Sequence, residues 1–97
     1  METPEGTRAI SAAVTVAASL DLPADNAVVL HNSNKLGLRL TPCDVLPRVS
    51  HVGQAGAQLE LERAQRLAEA GCPVGVVEPS VDPLVYTRDG FAVTFWT

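Results

Sequence analysis

Between Ala57 and Ala68 the apolar residues return at three- and four-residue steps, placing Ala57, Leu61, Ala64 and Ala68 on one face of a helix with Leu67 beside them. Glu60 with Arg63 and Glu62 with Arg66 stand at spacings that make helical neighbours, and Gly71 followed by Pro73 ends the segment. A mid-chain helix with a single apolar stripe must cover a surface built by the rest of the chain. The flanking segments supply one, because their apolar residues alternate with period two.

Leu36, Leu38 and Leu40 alternate with Gly37 and Arg39, the pattern of a strand buried on one face. Ala27 to Leu30 forms a preceding β-type run, joined to it through the turn residues His31-Asn32-Ser33-Asn34. After a turn at Thr41-Pro42-Cys43-Asp44, the residues Val45, Leu46 and Val49 predict a third strand. Pro47 removes one ladder donor and places that strand at an edge or a bulge. Beyond the helix, Val74 to Val77 reads as a strand, and Leu84–Thr87 and Phe91–Trp96 flank the turn Arg88-Asp89-Gly90 as a hairpin. Phe91, Val93 and Phe95 share one strand face and read as core.

The N-terminal segment has its own helical periodicity. Ile10, Ala13, Val14, Ala17 and Leu20 fall on one face, Thr3-Pro4 marks a start and Pro23 a stop. The acidic Glu2 and Glu5 ahead of it argue against a secretory signal, and the apolar run is too short and too interrupted to span a bilayer. The order helix, three strands, helix, two or three strands gives one α+β domain of 97 residues with an antiparallel sheet. Within it, residues 1–24 form a helical segment and residues 25–97 the sheet with its helix.

Composition narrows the partners. A net charge of −4 and seven scattered Lys and Arg leave no basic stripe for a phosphate backbone, so nucleic acid is not expected. Cys43 and Cys72 stand apart in turn-like contexts without a histidine cluster, which fits free thiols in a reducing cytoplasm better than a metal site.

The order of these segments resembles the N-terminal lobe of the aminoglycoside and choline phosphotransferases, a protein-kinase-like family. Val29 to Leu36 followed by Leu38-Arg39-Leu40 looks like the family's first hairpin, and Asp44 to Val49 resembles its third strand. Glu60 through Pro73 running into Val74 resembles its αC-type helix and exit, and Gly90 to Trp96 the strand leading to the hinge. The resemblance spans nearly the whole chain and rests on the shared order of the motifs.

The resemblance implies a kinase-like lobe of about five strands with one αC-type helix and an extra N-terminal helix. In such lobes a basic residue on the third strand contacts the α- and β-phosphates of ATP and is held by a helix Glu. Arg48 and Glu60 occupy those places; Arg48 stands where the family usually has Lys, an exchange of a planar fork for a point charge. The helical wheel independently favours Glu60 over Glu62, since Glu60 sits at the margin of the apolar face. Ser33 and Asn34 stand in the phosphate loop, Trp96 at the gatekeeper, and Thr97 opens the adenine-binding hinge. The catalytic base and the magnesium ligands belong to a C-terminal lobe not contained in this sequence, so no activity is expected of the chain by itself and the acceptor substrate is not readable.

The residues alone leave alternatives open. Arg48 reads equally as a surface arginine, Glu60 as one member of a solvated pair with Arg63, and His31 and Asn32 as turn formers. Trp96, without a second lobe, is expected to be partly exposed and to mark a sticky hinge side. That surface would suit a C-lobe chain or self-association, and the competing function is an interaction or dimerisation module on the same lobe.

Overall fold

The computed structural model describes residues 1–33, 35–52, 57–69, 78, 81–82 and 84–96. Helix α1 (Thr3–Ser19) is followed by strands β1 (Ala24–Asn32), β2 (Leu36–Pro42) and β3 (Leu46–His51), helix α2 (Ala57–Glu69), and strands β4 (Tyr86–Arg88) and β5 (Phe91–Trp96). The five strands form one antiparallel sheet in the order β1-β2-β3-β5-β4. The α+β class and the two helices are as the sequence predicts; the expected strand at Val74–Val77 lies outside the described residues.

Helix α1 begins with proline in its first turn, where the missing N–H is no loss. It ends one turn before Pro23, through its backbone. Asp21 takes a left-handed φ of 60°, its N–H donates to the Ala18 carbonyl at 3.2 Å, and the Leu22 N–H reaches back to Ala17 at 2.9 Å. Those two bonds satisfy carbonyls that the helix end would leave bare. The buried face is Gly6, Ala9, Ala12, Ala13, Val16 and Ala17, with Ile10, Val14 and Leu20 only packed at its margin. The helix is thus rotated from the expected stripe, and small residues let its backbone lie close on the sheet.

That sheet face carries Leu36, Leu38 and Leu40 of β2, Val49 of β3, and Phe91, Val93 and Phe95 of β5, all essentially buried. Period two puts their neighbours on the opposite face. There α2 packs Leu61 and Ala64 against Trp96, Leu46 and Val85. The sheet is therefore the middle layer between two helices.

Pro47 is not at an edge. β3 lies between β2 and β5, and Pro47 pairs with Phe95. The β2 ladder covers only Leu36↔Val49 and Gly37↔Arg48, then returns in the same register as the isolated bridge Leu40↔Val45. The lapse coincides with the residue that has no N–H to offer. The β4–β5 turn follows the sequence directly. Asp89 and Gly90 both adopt positive φ, 52° and 81°, as a two-residue hairpin turn matched to strand twist requires.

Candidate functional site

The α2 face of the sheet carries a row of residues across three ladders. His31 on β1 pairs with Gly37 on β2, Gly37 with Arg48 on β3, and Arg48 with Thr94 on β5. Directly paired residues project to the same side of a sheet, so the long side chains of His31 and Arg48 stand on either side of a residue with none. A Cβ at Gly37 would lie 3.4 Å from that of His31, which shows how close the two strands run at this position. The result is a cleft of about 330 Å³ lined by His31, Ser33, Lys35, Leu36, Gly37, Arg48 and Glu60.

Arg48 and Glu60 meet across that cleft. Arg48 Nη1 donates to Glu60 Oε1 at 2.6 Å, joining β3 to α2, and Lys35 Nζ stands 3.8 Å from Glu60 Oε2. The three side chains keep between a third and a half of their surface in water, so the pairs are screened and each contributes at most about 1 kcal/mol to folding. Their significance is positional. The expected partner of Glu60 on its own helix was Arg63; the salt bridges instead run to Arg48 on β3 and Lys35 in the β1–β2 turn. Glu62 points elsewhere and accepts a hydrogen bond from Gln58 Nε2 at 3.2 Å.

Behind Arg48 lies Trp96, with the guanidinium carbon 4.6 Å from the ring centroid. Trp96 is only 3% exposed, which corrects the expectation of a partly exposed hinge-side residue. Its indole fills the space between the sheet and α2, against Leu61 and Ala64, and Nε1 donates to Thr94 Oγ1 at 2.9 Å. Burial of the ring and capture of its one donor leave Trp96 itself little surface to offer a partner.

The β1–β2 turn forms the outer wall of the cleft. The Ser33 N–H donates to the Lys35 carbonyl at 3.0 Å, and His31 Nε2 and Ser33 Oγ are 3.1 Å apart. The Met1 ammonium donates to Asn32 Oδ1 at 2.5 Å and to the Ser33 carbonyl at 2.6 Å, tying the start of α1 to this turn. Of the sequence candidates, Arg48, Glu60 and Ser33 are brought together, and Trp96 supports them from behind. Asn34 and Thr97 lie outside the described residues.

Sequence reasoning passed over Lys35, His31 and Gly37. Lys35 had a signal, being a cation directly at the exit of a turn already read as a phosphate loop. Gly37 and His31 had none, because their adjacency depends on register across two strands. Chemically the site offers a guanidinium, an ammonium, an imidazole and a hydroxyl around one carboxylate. That set suits the oxygens of a polyphosphate.

A second cleft, of about 490 Å³, lies between α1 and the β4–β5 turn, lined by Ser11, Ala12, Thr15, Thr87, Arg88 and Asp89. Among the described residues no three His, Cys, Asp or Glu side chains gather as metal ligands, and no helix is long and apolar enough to cross a membrane. Compared with known proteins, the chain matches no family model, no curated protein and no solved structure.

Proposed function

We propose that this chain is the ATP-binding lobe of a small-molecule phosphotransferase similar to the aminoglycoside and choline kinases. The observation that carries the reading is the 2.6 Å contact between Arg48 on the third strand and Glu60 on the following helix. In kinase-type lobes a basic residue on that strand addresses the α- and β-phosphates and a helix Glu fixes its position. Two further observations support it. The strand and helix order around the pair is the one the resemblance implies, and the β1–β2 turn brings Ser33 and Lys35 to the same cleft.

In this reading the phosphates lie over Gly37, where no side chain obstructs them. Arg48 and Lys35 neutralise their charge and Glu60 holds both cations in place between ligands. Trp96 backs the guanidinium with its ring. The base and the magnesium ligands come from a C-terminal lobe, which also supplies the contacts to the acceptor hydroxyl, and the lobe works in the cytoplasm, where ATP is available.

Calorimetric titration with ATP and magnesium tests the assignment, comparing the unaltered chain with Arg48→Ala. Saturable binding that Arg48→Ala abolishes is the expected result. Absence of binding in the unaltered chain, or equal binding in both, overturns it.

A further inference from the structure

Strand β1 is one edge of the sheet, and among the described residues nothing pairs with its outer side. An open edge of nine residues presents unpaired backbone donors and acceptors to any other strand of suitable shape. Natural edges are blunted by charged residues, proline or bulges; the run Ala24–Asn32 has no lysine or proline, and its acid Asp25 and its two register shifts flank a regular stretch in the middle. It carries instead three consecutive exposed apolar residues, Val28, Val29 and Leu30, at 51%, 46% and 58% of their free surface. Register shifts fall at its two ends, between Ala24 and Asn26 and between Val29 and His31, leaving 26–29 regular.

The charges on this strand say what fits it. Asp25 stands at one end of the apolar run and His31 at the other, both exposed. An antiparallel strand with the same sequence brings acid to imidazole at both ends. We propose that β1 pairs with β1 of a second copy of this chain, about a two-fold axis normal to the sheet that passes through Val28.

Geometry selects this register. A two-fold axis normal to the sheet preserves faces, so directly opposed residues must share one. Val28 opposes Arg39, and His31 opposes Gly37, on the α2 face; Ala27 and Val29 oppose the buried Leu40 and Leu38 on the α1 face. Centred on Val28, the pairing sets Val28 against its own equivalent and Ala27 against Val29, and it brings Asp25 close to His31 where the bulged ends of the two strands meet. A centre between Val28 and Val29 would oppose residues from different faces. Moving the centre to Val29 carries Asp25 away from His31 and leaves the two unmatched. The two sheets then continue as one of ten strands, with the apolar run of each copy covered by the other.

The test is sedimentation equilibrium over a concentration series for the unaltered chain, Asp25→Lys, His31→Glu and an equimolar mixture of the two variants. The unaltered chain is expected to dimerise reversibly. Asp25→Lys removes the carboxylate from both ends and His31→Glu sets carboxylate against carboxylate there, so each variant alone should dimerise roughly tenfold more weakly. In the mixture one pair becomes Lys opposite Glu and the other stays Asp opposite His, so association should return to that of the unaltered chain. Val28→Lys, at an exposed position on the axis, should abolish the dimer while circular dichroism shows the fold retained. A chain that stays monomeric throughout, variants that dimerise as the parent does, or a mixture without recovery each overturns the proposal.

Discussion

The guanidinium carbon of Arg48 lies over the Trp96 ring, 4.6 Å from its centroid, while its Nη1 bonds Glu60. One residue therefore serves two neighbours, the ring as a cation over its face and the carboxylate as a hydrogen-bond donor. A lysine could reach the carboxylate but has no plane to stack. Arg48→Lys should keep the ion pair and lose the stacking, at about 0.5–1 kcal/mol of stability in urea unfolding. In the Trp96→Phe background the same change should cost measurably less. Equal losses in both backgrounds would show that the stacking contributes nothing.

Gly37 separates stability from binding. A glycine inside a strand weakens it by roughly 0.5–1 kcal/mol relative to alanine, and the Cβ of an alanine here would meet His31 Cβ only at ordinary contact distance, 3.4 Å. Gly37→Ala should therefore raise the unfolding midpoint. The same methyl projects onto the floor of the cleft between His31 and Arg48, so ATP affinity in calorimetry should fall. A variant that is both more stable and binds ATP as well as the parent would place the nucleotide elsewhere.

Much of this arrangement was legible in the residues. The period-two run Leu36-Gly37-Leu38-Arg39-Leu40 and the turn signal Arg88-Asp89-Gly90 are local, and a strand and a hairpin turn formed there, with Arg88 closing β4 and Asp89-Gly90 making the turn. The pair Arg48–Glu60 was reached through the resemblance, with the helical wheel favouring Glu60 over Glu62; the residues alone left both as surface charges. What escaped depends on packing between distant segments. The central place of Pro47 follows from a lapse in the β2 ladder, the burial of Trp96 from the way α2 closes over it, and the rotation of α1 from a preference for the face with the smallest residues. None of these has a signature in spacing.

Tyr86 gives the fold a response to alkaline pH. Burial is the first cause of a phenol pKa above its usual 10.0, and the nearby Asp82 carboxylate is the second. The phenol also donates to the Asp82 carbonyl at 2.9 Å, a bond that only the protonated form can make. The native state thus keeps this proton at a pH where the unfolded chain loses it. The contribution is complete below the unfolded pKa and is lost as pH rises through the folded one. The chain has a single tyrosine, so ultraviolet titration of the phenolate reads it directly. Relative to Tyr86→Phe, the unaltered chain should lose stability above pH 10.0, and parallel curves would remove Tyr86 as the cause.

Glu60 restrains the same cations that the proposed ligand requires. At rest its carboxylate answers Arg48 at 2.6 Å and Lys35 at 3.8 Å, so the three charges leave the cleft with one net positive charge. Glu60→Gln keeps the shape and can still accept from Arg48, but it raises that net charge to two. A unit charge some 6 Å from a phosphate, at the screening typical of a protein surface, amounts to about 1 kcal/mol or more. Triphosphate affinity in Glu60→Gln should accordingly rise at least threefold at low salt and fall back toward the parent as salt increases. Arg48→Ala moves affinity the other way, whereas both substitutions weaken the link between β3 and α2 and lower the unfolding midpoint. Opposite effects on binding with like effects on stability distinguish a ligand site from an ion pair that only joins helix to sheet. If the two variants change affinity in the same direction, or not at all, the pair is structural and the phosphates bind elsewhere.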